Sequence, residues 1–229
     1  MEISKRLRTV AELVSGRTVA DIGTDHGYVP LYLYEQGKIE KALACDINRG
    51  PLEKAKENIA SAKAERVVEA RLGSGLTPVR IGEVESAVIA GMGGMLICRI
   101  LADSPQVVQS LRELILSPQH DQETVRRYVA QIGFAITEEK LVKEDEKYYH
   151  IFRCIPGKET HTTAAAYRYG GKLLEKQDAV LWEEMEKEER QYRQVAERLR
   201  QSGTEKAATR LMEVEHALRC LEEAKAWYR

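Results

Sequence analysis

Val19-Ala20-Asp21-Ile22-Gly23-Thr24-Asp25-His26-Gly27-Tyr28 reads as a strand that ends in an acid, then a glycine turn, then the start of a helix. Glycine at 23 lets the backbone turn sharply and lets a ligand approach it more closely than a β-carbon would allow. The spacing is Asp-x-Gly-x-x-x-Gly, and Asp25 stands where a dinucleotide-binding loop carries its middle glycine to admit a pyrophosphate. A carboxylate at that point repels a pyrophosphate and attracts a sulfonium and an α-ammonium group. These residues therefore favour S-adenosylmethionine over NAD, with Asp21, Gly23, Thr24, Asp25, His26 and Gly27 as candidate cofactor contacts. A structural glycine turn without a ligand is the competing explanation, and a second acid at the end of the next strand weighs against it.

About twenty residues on, Ala42-Leu43-Ala44-Cys45-Asp46-Ile47-Asn48 is that second strand ending in an acid. A carboxylate there accepts hydrogen bonds from both ribose hydroxyls of an adenosine, which makes Asp46, Ile47 and Asn48 cofactor candidates. A third loop, Gly73-Ser74-Gly75-Leu76, follows the third strand where it would close over an adenine ring, although two glycines around a hydroxyl also suit a plain turn. Ala90-Gly91-Met92-Gly93-Gly94 ends the fourth strand, beside the point where an open sheet reverses its strand order and reactants meet. Ala90 and Gly91 are counted with the cofactor residues. Asp25, Gly91, Met92 and Gly93 are the candidate catalytic residues, by positioning and charge stabilisation. The loop lacks the lysine and hydroxyl of a P-loop, and a glycine-rich loop serving helix packing is its other explanation.

Outward from these motifs, β-branched runs alternate with stretches of helical period between residues 18 and 155, the pattern of βαβ units around a mostly parallel sheet. Strands are expected over 18–22, 41–46, 67–71, 86–90, 113–116, 134–142 and 148–154, the last two as a hairpin. Helices are expected over 28–35, 51–62, 94–104 and 123–132, with Pro51 in a first turn where its missing N–H costs nothing. The fold class is thus α/β, Rossmann-like, with a seven-stranded sheet. After Ile155-Pro156-Gly157 the composition turns to Glu, Lys, Arg, Gln, Ala and Leu, so residues 1–157 and 158–229 are expected as two domains. In the second, Leu174, Leu181, Met185, Tyr192, Val195 and Leu199 follow a seven-residue pattern. Leu211, Val214, Leu218, Leu221 and Tyr228 repeat it after a turn at Gln201-Ser202-Gly203-Thr204. The two helices are expected to pair antiparallel, coiled-coil-like, within one chain, which favours a monomer over a dimer.

Lys and Arg total 35 against 36 Asp and Glu, and residues 160–229 carry 13 of each, so bulk charge neither predicts nor excludes nucleic-acid binding. No run approaches the roughly 18 to 20 apolar residues of a membrane span, and the amino terminus lacks an apolar signal core, so a soluble, cytoplasmic protein without a membrane partner is expected. Cys45, Cys98, Cys154 and Cys220 are scattered singly, with no CxxC spacing and no histidine read as a co-ligand; they read as small buried residues, not as a disulfide frame or a metal site. His26 and His120 suit ordinary turn and helix-start roles, and Tyr148, Tyr149 and His150 suit hairpin packing or stacking on a base.

Ser4-Lys5-Arg6-Leu7, the stretch from Ala20 to Pro30, Ile89-Ala90-Gly91-Met92-Gly93-Gly94 and the helical tail together resemble the bacterial TrmK family, tRNA adenine-N1 methyltransferases acting on adenine 22. The resemblance spans nearly the whole chain. It implies a class I methyltransferase domain, an S-adenosylmethionine cofactor, tRNA as partner, and a C-terminal domain that helps hold the tRNA. Two positions depart from the family pattern: Ser74 stands where an acid is common, and Gln119 follows Pro118 where asparagine is common. Lys5, Arg6 and Arg8 are candidate phosphate contacts. The cofactor motifs are blind to the acceptor, so a small-molecule methyltransferase and a catalytically silent RNA-binding or scaffold protein remain as alternatives.

Overall fold

The structure is a computed structural model and describes residues 2–202 and 204–229. Its contacts divide the chain between Thr160 and His161. The change of composition after Gly157 puts the boundary three residues earlier. The Glu159 carboxylate accepts hydrogen bonds from the backbone N–H of Ile136 (2.8 Å) and of Thr160 (2.8 Å), so the polar stretch stays fastened to the first unit up to that point.

Seven strands form one sheet: β1 (Thr18–Ile22), β2 (Lys41–Asp46), β3 (Val68–Leu72), β4 (Ser86–Met92), β5 (Glu113–Pro118), β6 (Phe134–Glu144) and β7 (Lys147–Pro156), in the order β3-β2-β1-β4-β5-β7-β6. The first five run parallel, and β7 is antiparallel to both neighbours. The hairpin turns through Asp145 and Glu146, both at positive φ (49° and 59°), the handedness that matches the twist of paired strands.

The central strands alternate between two apolar layers, as period-two geometry requires of strands buried on both faces. Ala20, Ile22, Leu43, Ile89 and Leu114 face one layer with Ile97, Leu101, Val107 and Val125. Those partners come from α4 (Gly94–Ala102), α5 (Pro105–Ser110) and α6 (Gln122–Gln131). Val19, Ala42, Val88 and Ile115 face the other, with Val10, Leu31 and Ile59. These lie on α1 (Lys5–Glu12), α2 (Tyr28–Glu35) and α3 (Arg49–Ser61). Two of these helices have no counterpart in the sequence reading. Ser4 caps α1 by accepting from the Leu7 N–H at 3.2 Å, and the helix fully buries only Val10 and Ala11. Pro105 opens α5 at its first turn, so the helix expected over 94–104 ends at Ala102 and a new one begins. Pro51 lies within the first turn of α3, as expected.

The second unit contains a π-helical turn over Ala166–Gly170, then α7 (Gly171–Glu175), α8 (Ala179–Ser202) and α9 (Glu205–Lys225). Leu174 belongs to α7 and not to the helix of Leu181, because the chain breaks at Gln177, whose φ is 51°. Arg200 pairs with Glu215, and Lys225 pairs with Glu186 and Glu189, so α8 and α9 run antiparallel. Their seam uses Met185 and Ala196 against Val214, Ala217, Leu221 and Ala224, all buried. Val195, expected in the seam, is exposed, and Leu218 is only half-buried. Of the expected turn, Gly203 lies outside the described residues. The four cysteines are free and buried.

Candidate active site

The topology places a cleft at the carboxyl ends of β1 and β4, where connections leave toward opposite layers. At the tip of β1, Gly23 adopts φ +74°, and the N–H groups of Gly23 and Thr24 both donate to the carbonyl of Cys45, at 2.8 and 3.0 Å. This ties the first loop to the end of β2. The Thr24 hydroxyl donates to the buried Asp21 carboxylate at 2.6 Å. Beyond it, Asp25–Gly27 form a single 3-10 turn in which His26 is held at φ 66°, with its carbonyl accepting from the Asn58 amide at 2.9 Å. At the tip of β2, Asp46 accepts from the Asn48 N–H at 2.7 Å, an Asx turn that holds the carboxylate in place. At the tip of β4, the ladder with β5 slips between Ala90 and Met92, and Gly91 occupies the bulge at φ +79°.

Two adjoining cavities result. The larger, about 370 Å³, is lined by Arg6, Leu7, Asp21, Gly23, Thr24, Asp25, Tyr28, Val29, Asp46, Ala90, Gly91, Met92 and Gln119. The smaller, about 290 Å³, is lined by Ile22, Gly23, Asp46, Ile47, Asn48, Gly73, Ser74, Gly75, Met92, Leu96 and Ile100. Gly23, Asp46 and Met92 belong to both and form the neck between them.

Most of the residues singled out in the sequence meet here, and several do not. His26, Gly27, Leu76, Gly93, Lys5 and Arg8 line neither cavity. Leu76 is buried in the core. Gly27 lies against helix α3, where an added β-carbon would stand 3.5 Å from that of Ala55. A β-carbon on Gly93 would stand 2.6 Å from the His120 ring, and one on Gly94 would stand 2.7 Å from the Asp121 carbonyl oxygen. The last two glycines of the Gly-Met-Gly-Gly loop therefore serve close packing, the alternative explanation for that loop, while Gly91 and Met92 face the cleft. Conversely, Tyr28 and Val29, which directly follow the glycine turn, and Leu96 and Ile100, one helical turn apart on α4, line the cavities without having been picked out. The i, i+4 spacing of the last pair was the available signal.

The electrostatics are one-sided. Asp21, only 5% exposed, has its carboxyl pushed up to about 6 by burial, with Asp46 and Asp25 raising it further against the lowering effect of the Thr24 hydrogen bond. Burial likewise pushes the Cys45 thiol up to about 12, so it is no nucleophile. Asp25 is the most open of the three acids, its side chain 78% exposed and 3.1 Å from Nε2 of His26. Arg6 is the sole basic residue in either lining, and its guanidinium lies 5.2 Å from the Tyr149 ring centre. Among the described residues no group of acids, histidines and cysteines is arranged to hold a metal ion, and no helix is long and apolar enough to cross a membrane.

The residues fit S-adenosylmethionine. Three carboxylates suit a ligand that carries a sulfonium and an α-ammonium group, and the missing β-carbon of Gly23 lets the Met92 side chain close against the turn between the two cavities. A pyrophosphate would meet the same carboxylates and be repelled.

Residues 3–152 match the family described as Methyltransferase domain. The tRNA (adenine(22)-N(1))-methyltransferase of Bacillus subtilis (strain 168) is 30% identical over 230 residues, covering 97% of each chain. The crystal structure of the B. subtilis m1A22 tRNA methyltransferase TrmK superposes with a TM-score of 0.88 at 29% identity, over 97% of this chain and 98% of that one. A putative tRNA (m1A22) methyltransferase of Streptococcus pneumoniae, in complex with S-adenosyl-L-methionine, gives 0.83 at 29% identity, over 97% and 99%. With its acidic cleft, its strand order and this end-to-end likeness, the chain belongs to the methyltransferase-domain family and, within it, to the TrmK family.

Proposed function

We propose that this protein methylates N1 of adenine 22 in tRNA, with S-adenosylmethionine as donor. The observation that carries the reading is the cavity pair at the β1/β4 switch, with Asp21, Asp25 and Asp46 around a glycine neck. The likeness to tRNA (adenine(22)-N(1))-methyltransferases supplies the acceptor. When bound, S-adenosylmethionine supplies an electrophilic methyl group, which the lone pair of a neutral adenine N1 can take without prior removal of a proton.

The chain's own residues bind and orient. Asp46 holds the ribose hydroxyls, and Ile47, Asn48, Gly73, Ser74, Gly75 and Leu96 enclose the adenine of the donor in the smaller cavity. Asp21 and Asp25 hold the cationic end in the larger one, beside Gly23, Thr24 and Ala90. Gly91 and Met92 border the room left for the acceptor. Holding reactants at attack distance contributes up to roughly 7 to 11 kcal/mol in well-oriented pairs, so positioning dominates this catalysis. The methylated base becomes cationic, and Asp25 is the carboxylate we assign to stabilise that charge. N1 lies on the Watson-Crick edge, so the base must leave its stack, at a cost of a few kcal/mol.

The exposed Lys5 and Arg8, with the basic residues of the 161–229 unit, are assigned to tRNA phosphates. Because α9 of the same chain covers the apolar seam of α8, we read the helical unit as a monomer's own antiparallel hairpin. A tRNA substrate sets the reaction in the cytoplasm. The direct test incubates the purified protein with labelled S-adenosylmethionine and unmodified tRNA and maps the methylated nucleoside by digestion and mass spectrometry. Label on N1 of adenine 22 is the expected result; label that ignores tRNA, or none at all, would refute the assignment.

A further inference from the structure

Two side chains from distant parts of the sequence reach over the bulged glycine of β4. The Arg6 Nη1 lies 3.5 Å and the Gln119 Nε2 4.0 Å from the point where a β-carbon on Gly91 would stand, so both ends hang over the same patch of cavity floor. Each is held by its backbone. The Gln119 N–H donates to the Met92 carbonyl at 2.8 Å, which fixes the end of β5 beside the bulge. The Lys5 N–H at the start of α1 donates to Glu144 at 2.7 Å, and the Tyr149 ring backs the guanidinium of Arg6. Among the described residues the Gln119 amide makes no side-chain hydrogen bond and Arg6 makes no salt bridge, although Arg6 shares its cavity with three carboxylates.

The chemistry of the proposed acceptor says what such a pair is for. If N1 of adenine is the atom that reacts, the Watson-Crick edge must face the donor, and the base has to be recognised from its other edge, where N6–H donates and N7 accepts. A carboxamide matches that edge with Oε1 on N6 and Nε2 on N7, and it mismatches guanine, which offers two acceptors there. In an anti nucleotide the N7 edge lies on the same side as the nucleotide's own 5′-phosphate. A guanidinium placed next to the carboxamide therefore meets a phosphate oxygen, its preferred anion. The same placement keeps the positive charge of Arg6 off the ring that becomes cationic.

Resting on the proposed function, we propose that Gln119 and Arg6 together select the acceptor nucleotide: Gln119 pairs with N6 and N7 of adenine 22, and Arg6 binds the phosphate on its 5′ side. Gln119 thereby gives the choice of adenine a protein reader, and the Gln at this position retains the two-ended amide that the reading requires.

The test uses full-length protein and three tRNAs: unmodified, carrying 7-deazaadenine at position 22, and carrying a methylphosphonate linkage 5′ to residue 22. With the wild type, each altered tRNA is expected to lose about ten-fold in kcat/KM, the size of one such contact. In Gln119→Ala the 7-deaza penalty should vanish while the methylphosphonate penalty persists, and in Arg6→Ala the reverse should hold. Thermal unfolding close to that of the wild type, together with retained S-adenosylmethionine binding, shows that each variant is folded with a usable donor site, and each penalty is read as a ratio within one variant. Wild type that uses the 7-deaza tRNA at full rate, or penalties that persist in the matching variants, overturns the inference while leaving the methyltransferase reading standing. Failure of the wild type to methylate unmodified tRNA overturns that reading and this inference with it.

Discussion

The terminal methyl of Met92 rests in the space that a β-carbon on Gly23 would fill, so the fourth strand's loop closes directly upon the first strand's turn. With Asp46, these two residues form the neck between the two cavities. Gly23→Ala must displace the Met92 side chain and also place an L side chain at φ +74°. The expected result is a loss of about 1 to 2 kcal/mol of stability and at least a hundred-fold fall in S-adenosylmethionine affinity, read by thermal unfolding and calorimetry. Unchanged binding would mean that the neck is not the donor's path.

Asp21 links stability to pH. Its carboxyl titrates near 6 in the folded protein against an ordinary 3.8, so the folded state prefers the protonated form. That contribution to stability is complete below about pH 4 and is lost as pH rises through 6, leaving a buried carboxylate that costs on the order of 3 kcal/mol at pH 8. Asp21→Asn should therefore stabilise the ligand-free protein by about 1 to 3 kcal/mol at pH 8 and by nothing at pH 4. It should also weaken S-adenosylmethionine binding. Chemical denaturation at the two pH values decides the first expectation, and titration calorimetry decides the second.

The same group sets a pH profile for the donor. Wild-type affinity for S-adenosylmethionine is expected to fall by up to ten-fold per unit as pH drops below about 6 and Asp21 takes up a proton. In Asp21→Asn that dependence should disappear. A profile that is identical in both proteins would place the responsible charge elsewhere.

Asp25 is exposed and adjoins the larger cavity, so it should sense the donor's charge more than its shape. Asp25→Asn is expected to weaken S-adenosylmethionine several-fold and S-adenosylhomocysteine less, because the latter has lost the sulfonium charge and kept only the α-ammonium. Asp46→Ala should weaken both alike, by roughly ten- to a hundred-fold for lost bonds to a charged acceptor. Parallel titrations with the two ligands separate the roles.

Glu159 makes the chain's division testable. A protein ending at Thr160 keeps the carboxylate that accepts from Ile136, whereas one ending at Gly157 leaves that N–H without it. The shorter truncation should be less stable by about 1 to 3 kcal/mol. The longer one should bind S-adenosylmethionine as the full chain does while losing affinity for tRNA, as filter binding would report.

What was legible in the sequence was local. Thr18–Ile22 and Lys41–Asp46 could be read to the residue because a β-branched or small apolar run and a terminal acid lie within one strand's length. The positions of Asp21, Gly23 and Asp46 in one cleft followed from the parallel alternation of strands and helices. What escaped depended on partners remote in the chain. Gly93 reads like its neighbour Gly91 until His120, twenty-seven residues on, is seen to press against it. Large residues carry the periodic signal of the hairpin, and it points correctly to Met185, Val214 and Leu221 but also to Val195 and Leu218, which are not buried. Ala196, Ala217 and Ala224 complete the seam, and their size lets the helices approach.

The insertion of β7 between β5 and β6 has a consequence for synthesis on the ribosome. Until residue 156 has cleared the exit tunnel, β5 has no neighbour on its outer side, and its unpaired N–H and carbonyl groups face the surroundings. A nascent chain halted anywhere in the hairpin carries a sticky parallel sheet whose β5 margin is raw, so premature stops before that point should yield chaperone-bound or insoluble fragments, and stops just after Thr160 should release a self-contained product.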